Sequence, residues 1–211
     1  MLTILITLGP TREYIDPVRF ISNASSGKMG KEIIKQALKK GCKVIAVKGP
    51  CNIDIKNNNC KVIDVVTTDQ MFKAVKANLK YADIFIGAAA VADYCPLKTE
   101  KNKIKKTDKF LNLKLKKTVD IINYVSKHKT KKQSIIGFAL ESKNLLNYAK
   151  DKLENKKLDM IVANPTETIG SQFSKPVFIF KNGTIKKLSS ATKNNIAKEI
   201  INEAIELYRN S

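Results

Sequence analysis

The sequence is poor in the residues that carry most metal and histidine chemistry. Its 211 residues include one histidine and no tryptophan, and its four cysteines show no CxxC spacing. Zinc sites of the Cys/His type need several such ligands at short spacings, which argues against one here. The single histidine, His128, lies in a lysine-rich stretch that we predict to be a solvated turn. A Ser-His-Asp or Cys-His catalytic pair is therefore not expected.

Long apolar runs are also absent. No stretch approaches the ~18 residues that a membrane-spanning helix needs. The segment from Met1 to Ile6 lacks the basic region and cleavage site of a signal peptide, and it is typical of a first strand. We therefore expect a cytoplasmic protein with no membrane association.

The sequence has few aromatic residues for its charge. The formal net charge is +20, yet aromatic residues make up only 7% of the chain. Arginine is scarce, and the lysines are scattered over every predicted helix and loop. A protein that binds single-stranded nucleic acid interleaves aromatic and basic groups so that bases can stack. We predict a solvated basic surface, a few lysines that bind phosphates, and no nucleic-acid partner.

What the chain does contain is an alternation of strand and helix patterns. Leu2 to Leu8 is an apolar run that stops at Gly9, and Lys28 to Lys40 has a helical stripe that stops at Gly41. The pattern continues as β-α-β-β-α-β, which favours an α/β fold with a Rossmann-like, open, mostly parallel sheet and helices on both faces. The period-two segment from Lys101 to Lys117 indicates a hairpin or protruding arm, over about 95–117. We predict a single domain over residues 1–211.

The loop after the first strand is the first candidate for chemistry. It ends in Ser25-Ser26-Gly27-Lys28 at a helix start, where free amides and the helix dipole favour an anion. Gly27 and Gly30 would let a phosphate approach the backbone closely. The loop matches neither GxGxxG nor the P-loop pattern, so an ordinary serine-capped helix is the alternative.

Two further segments carry weaker signals. Gly87-Ala-Ala-Ala-Val-Ala-Asp93 places small residues at a strand end, where backbone is exposed to a ligand, and Asp93 could bind Mg²⁺ or a nucleoside. The alternative is close helix–sheet packing with Asp93 as a cap. The third segment, Lys103-Ile-Lys-Lys, indicates by itself only a basic loop.

Taken together, these segments resemble phosphopantothenate–cysteine ligase (phosphopantothenoylcysteine synthetase) of the bacterial coenzyme A pathway. The matching stretches are collinear and span nearly the whole chain: ITLGPTREYIDPVRFISNASSGKMG at 6–30, GAAAVADY at 87–94, KIKK at 103–106, GFALES at 137–142 and KLENKKLDMIVANP at 152–165. The resemblance implies a ligase that joins 4′-phosphopantothenate to cysteine. It would use CTP and Mg²⁺, pass through an acyl-cytidylate, and release CMP and pyrophosphate.

The resemblance also implies roles for individual residues. Catalytic roles fall to Asn23, which would contact the acyl-cytidylate, and to Lys103, which would neutralise the triphosphate. Nucleotide contacts fall to Gly87, Ala88, Ala89, Asp93, Lys103, Asp120, Ile121, Phe138, Lys152 and Lys156. Substrate contacts fall to Gly9, Asn23, Ser25, Gly27, Gly30 and Asn164. Asp93 is also the candidate ligand of Mg²⁺.

The resemblance further implies a homodimer with arms that reach between protomers, in a stand-alone form of the ligase. A separate phosphopantothenoylcysteine decarboxylase would be a possible partner. One departure is Thr118-Val119, where the family commonly has Asn-Pro at a nucleotide contact. The alternative function is an NAD-dependent Rossmann-type oxidoreductase, against which the missing GxGxxG argues.

Overall fold

A computed structural model describes residues 1–106, 109–141, 144–166, 171 and 173–210. The strands are β1 (Thr3–Leu8), β2 (Arg12–Tyr14), β3 (Phe20–Ser22), β4 (Lys43–Lys48), β5 (Cys60–Asp64), β6 (Ile84–Gly87), β7 (Tyr94–Pro96), β8 (Leu115–Lys117), β9 (Ser134–Glu141), β10 (Met160–Pro165), β11 (Phe173–Ser174), β12 (Val177–Phe180), β13 (Ile185–Lys187) and β14 (Ala191–Thr192). The helices are α1 (Lys28–Lys39), α2 (Thr68–Asn78), α3 (Ile121–His128), α4 (Leu145–Asn155) and α5 (Lys193–Arg209), with a 3₁₀ turn at Leu79–Tyr81.

Eight strands form one sheet in the order β13-β12-β10-β9-β6-β1-β4-β5. The six strands from β10 to β5 pair parallel with one another. At the other end of the sheet, β12 pairs antiparallel with both β10 and β13. This confirms the predicted mostly parallel sheet. Because the chain leaves β1 towards β4 and returns on its other side at β6, the switch point of the topology lies between β1 and β6.

Helices cover both faces of the sheet, as predicted. On one face α1 and α5 pack together over a core that includes Ile33, Ile34 and Ile200. On the other face α2, α3 and α4 cover a second core, which includes Val75 and Leu153. No helix in the described part of the chain is long and apolar enough to cross a membrane.

Local signals in the sequence account for several helix boundaries. The predicted capping box is present, since the Thr67 hydroxyl accepts from the Gln70 backbone N–H and the Gln70 side chain accepts from the Thr67 backbone N–H. The Thr192 hydroxyl also caps its helix, α5, by accepting from the Asn195 backbone N–H.

The prediction of a turn at His128 was wrong, because this residue ends α3 and its ring stacks on that of Tyr124. Helix α3 has only eight residues, so its apolar periodicity is too short to be recognised in the sequence.

The arm differs from the hairpin that its period-two pattern predicts. Only its base is a ladder, in which β7 pairs antiparallel with β8. Beyond that ladder the described residues of the arm form no strand, and the side chains of Phe110 and Leu111 are 75% and 52% exposed. Alternation alone cannot hold two strands together when neither face is covered. Residues 107 and 108, which belong to the predicted arm, lie outside the described residues.

Candidate active site

A cleft of about 910 Å³ lies at the carboxyl ends of β1, β6, β9 and β10, beside the switch point of the sheet. This is where ligands of open α/β sheets bind, and the volume suits a nucleotide-sized ligand. Segments that are far apart in the sequence converge there. The predicted site residues that line the cleft are Asn23, Ser25, Gly27, Gly30, Gly87, Ala88, Ala89, Asp93, Asp120, Ile121, Phe138, Lys152, Lys156 and Asn164. Gly9 and Lys103 are the two that do not.

The start of α1 forms one wall of the cleft, and its first turn has no side-chain cap. The Ser25 hydroxyl lies 3.4 Å from the Gly27 backbone N–H and caps nothing further along. The alternative of an ordinary serine-capped helix is therefore wrong. Gly27 precedes the helix with a φ of +71°, a left-handed conformation that favours glycine. Uncapped amides at a helix N-terminus, next to a cleft, suit a negatively charged ligand.

Gly30 has a packing role that the sequence did not predict. A Cβ atom at this position would lie 2.4 Å from the Cβ of Leu8 in β1. Glycine is therefore required because α1 packs directly against β1, and the predicted approach of a phosphate to Gly30 stays a prediction. The close packing brings the start of α1 to the end of β1, which positions the wall of the cleft.

The turn after β6 is tied to the loop after β1. The Asn23 side-chain amide donates to the carbonyl oxygens of Val91 at 2.9 Å and Ala90 at 3.3 Å. Behind the wall, the buried Gly9 carbonyl accepts from the Ala90 backbone N–H at 2.9 Å, which explains why Gly9 does not line the cleft. Asn23 therefore joins two of the segments that the sequence singled out.

The backbone N–H groups at the start of that turn are already used. The Ala88 N–H donates to the Thr7 carbonyl at 3.1 Å, and the Ala89 N–H lies 3.3 Å from the Thr7 hydroxyl. Their carbonyl oxygens are thus the backbone groups left for a ligand. A carbonyl accepts from amino and hydroxyl groups, both of which nucleosides carry.

Thr118 stabilises the same turn from the other side. Its hydroxyl donates to the Ala92 carbonyl at 2.6 Å, and its backbone N–H donates to the Asp93 carbonyl at 2.9 Å. Thr118 and Val119 both line the cleft. At the departure from Asn-Pro, Thr118 thus replaces one polar residue with another, and its backbone N–H holds the backbone of Asp93. The exposed side chain of Asp93 lies at the cleft.

The opposite wall carries two lysines one helical turn apart on α4. The Lys156 ammonium lies 2.5 Å from a carboxylate oxygen of Asp120, and the Lys152 ammonium donates to the Phe138 carbonyl at 2.8 Å. Burial is the largest single effect and raises the pKa of Asp120, but the hydrogen bonds from Lys156 and the Asn123 backbone N–H, together with the charges of Lys156 and Lys152, lower it more, so the pKa lies below its ordinary value. Asp120 is therefore ionised at neutral pH and holds Lys156 at the edge of the cleft.

The far end of the cleft contains polar residues that the sequence did not single out. The Ser174 hydroxyl donates to the side-chain oxygen of the buried Asn164 at 2.7 Å. Lys193, the first residue of α5, lines the cleft near them, and Lys28 starts α1. The pairing of β11 with β14 brings Ser174 next to the start of α5. The sequence feature that points to Lys193 is its position directly after Thr192, the N-cap of α5.

Lys103 is exposed on a segment that is held to the loop after β1. The fully buried Asp16 carboxylate accepts from the side chain of Arg19 at 2.5 Å and from the Ile104 backbone N–H at 3.1 Å. Arg19 in turn donates to the Ile104 carbonyl at 3.0 Å. The position of the Lys103 backbone thus depends on this ion pair. Among the described residues, no group of three or more His, Cys, Asp or Glu side chains could hold a metal ion.

A family model described as the DNA/pantothenate metabolism flavoprotein C-terminal domain matches residues 1–208. The chain belongs to this family. The "Coenzyme A biosynthesis bifunctional protein CoaBC" of Haemophilus influenzae is 43% identical over 211 residues, which make up 99% of this chain and 52% of that protein. The chain thus spans about half the length of the curated relatives it matches.

Solved structures of the family have the same fold. The C-terminal domain of a Coenzyme A biosynthesis bifunctional protein CoaBC is 36% identical, with a TM-score of 0.86 over 100% of this chain and 97% of that chain. The DNA/pantothenate metabolism flavoprotein from Streptococcus pneumoniae is 27% identical, with a TM-score of 0.87 over 99% of this chain and 100% of that chain. Nothing in these similarities supports the oxidoreductase alternative. The relatives' names describe bifunctional proteins, so they do not support a stand-alone form either.

Proposed function

We propose that this chain is a phosphopantothenate–cysteine ligase domain of coenzyme A biosynthesis, acting as one unit over its 211 residues. It would join 4′-phosphopantothenate to L-cysteine with CTP. The observation that carries the proposal is the cleft at the carboxyl end of the sheet, which collects residues from distant segments of a family member. The name of the relative that is 43% identical, a coenzyme A biosynthesis protein, supports the pathway.

The first step activates an unreactive acid. A carboxylate oxygen of 4′-phosphopantothenate attacks the α-phosphate of CTP, the bond from that phosphorus to the bridging oxygen breaks, and pyrophosphate leaves. Negative charge moves onto the pyrophosphate, so fixed cations and N–H groups accelerate the step. In our proposal Lys152 and Lys156 hold the nucleotide, while the uncapped amides that begin at Gly27 face phosphate oxygens.

The second step forms the amide. The amine of cysteine attacks the acyl carbon, the bond to the cytidylate oxygen breaks, and CMP leaves with the electron pair while the amine loses a proton. Negative charge develops on the acyl oxygen as the carbon becomes tetrahedral. We infer that the Asn23 amide donates to this oxygen. Its 2.9 Å bond to Val91 would keep the amide oriented, while the longer 3.3 Å contact to Ala90 would be given up.

Mg²⁺ fits the proposed site through Asp93. Mg²⁺ in nucleotide enzymes is commonly held by one or two carboxylates together with phosphate oxygens, and the exposed Asp93 carboxylate lies at the cleft. When bound, the ion would reduce the repulsion between the triphosphate and an incoming carboxylate.

The arm exposes both a lysine and apolar side chains. We propose that the arm delivers Lys103 to the triphosphate within a homodimer, and the exposed apolar side chains of Phe110 and Leu111 support a partner surface on the arm. Because the relatives are named as bifunctional proteins, the partner activity would be a phosphopantothenoylcysteine decarboxylase.

All four cysteines are free thiols, which supports action in the reducing cytoplasm.

The proposed function is tested by supplying CTP, Mg²⁺, 4′-phosphopantothenate and cysteine, and by following CMP and pyrophosphate. We expect both products in equal amounts, together with 4′-phosphopantothenoylcysteine, and none when the acid is left out. NADH binding without CMP formation would instead revive a nicotinamide enzyme. Unchanged CTP with every substrate present would contradict the ligase proposal.

A further inference from the structure

Five lysines line the cleft. One of them, Lys117, ends β8, and the other four come from opposite faces of the sheet. Lys152 belongs to α4 and Lys156 directly follows it, and α4 packs on the face shared with α2 and α3. Lys28 and Lys193 are the first residues of α1 and α5, which pack together on the other face. Phe138, one of the nucleotide contacts that the resemblance implies, packs against the core under α1 and α5.

The two pairs differ in how their charges are balanced. Lys156 is paired with the ionised Asp120. By contrast, no carboxylate among the described residues lies within ion-pair distance of Lys28 or Lys193. Within the described part of the chain, the Lys193 ammonium donates to a neutral group, the backbone carbonyl of Ser171.

The surroundings of Lys193 disfavour its charged form. It is half-buried, and burial lowers its pKa below the ordinary value, with the nearby charge of Lys28 adding to the effect. Two like charges at the mouth of a partly desolvated cleft repel each other. An anion with several oxygens, placed between them, would remove that repulsion and accept hydrogen bonds from both.

We propose that Lys193, together with Lys28, forms a second anion-binding subsite that takes a phosphate group of a reactant on the α1–α5 side of the cleft. The inference rests on the proposed function, in which both reactants carry phosphate: CTP its triphosphate, and the acid its 4′-phosphate. The subsite is separate from the α4 lysines. The uncapped amides at the start of α1 and the hydrogen-bonded pair Asn164–Ser174 also line the same cleft.

The test is to measure the binding of CTP and of 4′-phosphopantothenate separately by titration calorimetry, in wild type and in Lys193→Met. We expect one of the two dissociation constants to rise about 10- to 100-fold, which is the loss typical of a charge-assisted hydrogen bond, while the other stays within about twofold. The ligand that weakens identifies the phosphate that the subsite holds. Lys193→Arg should recover most of the loss because it restores the charge.

The matched control is Lys198→Met, since Lys198 is an exposed residue of the same helix and does not line the cleft. It should bind both ligands as wild type does. If Lys193→Met does not fold, as judged by circular dichroism, Lys28→Met carries the same expectation. Wild-type binding of both ligands by the Lys193 variant, or an equal weakening of both that arginine does not rescue, would overturn the inference alone. A wild-type protein that binds neither ligand would overturn the proposed function as well.

Discussion

The walls of the cleft and the arm differ in what holds them in place. Each wall is fixed from within: α1 by direct packing on β1, the turn after β6 by Asn23 and Thr118, and the start of α3 by the Asp120–Lys156 ion pair. The described part of the arm beyond its base has no ladder and exposes Phe110 and Leu111. Side-chain hydrogen bonds of Asp16 and Arg19 with Ile104, and of the Thr99 hydroxyl with the Tyr14 carbonyl, tie the segment around Lys103 to the loop after β1.

The difference indicates two kinds of site residue. Residues on the walls keep their geometry through contacts inside the chain, so a ligand meets a preformed surface. By contrast, a residue on the arm is held by few contacts within the single chain, because the described arm beyond β7 and β8 forms no ladder and exposes its apolar side chains. Substitutions on the walls should therefore change chemistry and stability together, whereas substitutions on the arm should change chemistry alone.

The largest effect is expected from Asn23→Asp. A carboxylate cannot donate to the acyl oxygen of the tetrahedral intermediate, and it also repels the carbonyls of Ala90 and Val91. The second half-reaction should slow about 10²- to 10³-fold, as when one oxyanion donor is lost. Rapid-quench measurements should then show the acyl-cytidylate accumulating.

The control for this variant is Asn182→Asp, an exposed residue of the β12–β13 turn. It should leave both half-reactions unchanged. Equal slowing of pyrophosphate release and amide formation by Asn23→Asp would mean that Asn23 only supports the turn.

A smaller kinetic effect is expected from Lys103→Met. Loss of one cation near the triphosphate should lower kcat/KM for CTP about 10- to 100-fold. The melting temperature should stay the same, because the side chain is exposed. Lys105→Met, two residues further along the same segment, serves as the control and should retain wild-type kinetics. A fall in melting temperature for the Lys103 variant would remove the distinction between wall and arm.

The wall itself is tested by Gly30→Ala. The new methyl group would overlap Leu8, so α1 must shift away from β1. We expect a loss of about 1–3 kcal/mol in the free energy of unfolding, measured with urea, and weaker ligand binding as the start of α1 moves. Lys39→Ala at the exposed end of the same helix should change the free energy by less than about 0.5 kcal/mol. A fully stable and active Gly30 variant would show that the packing is not needed.

The smallest effect at neutral pH is expected from Asp16→Asn, which keeps the shape of the side chain. The Arg19 guanidinium holds the pKa of the Asp16 carboxyl well below its usual range, and burial opposes this only in part. The folded state therefore binds this proton more weakly than the unfolded state. The stabilisation is complete above the ordinary carboxyl pKa of about 4 and is lost as the pH falls below it.

Urea unfolding between pH 7 and pH 2 checks this prediction. The variant should be less stable than wild type at pH 7, and the gap between the two should narrow as the pH falls below about 4. Asp54→Asn, which changes an exposed carboxylate, is the control and should follow the wild-type curve. A gap that widens in acid would contradict the ion-pair explanation.

The fold was largely predictable from sequence, and the site only in part. The strand-and-helix alternation is set by local burial patterns, and the capping box at Thr67 was legible directly. The role of Lys193 could not be predicted in this way, because its place in the cleft depends on the pairing of β11 with β14, which are distant in the sequence. The packing role of Gly30 was missed for the same reason, since it requires knowing that Leu8 lies opposite. The two-stranded base of the arm depends on residues about twenty positions apart, which a period-two pattern cannot identify.

The most direct test of the proposed function is a rapid-quench experiment with CTP, Mg²⁺ and 4′-phosphopantothenate, but without cysteine. The proposal requires pyrophosphate to appear once per active site, only when the acid is present, together with an enzyme-bound acyl-cytidylate. Cysteine added afterwards should release CMP. Formation of CDP and inorganic phosphate would instead mean that a phosphoryl group activates the acid, and it would contradict the proposed chemistry of the cleft.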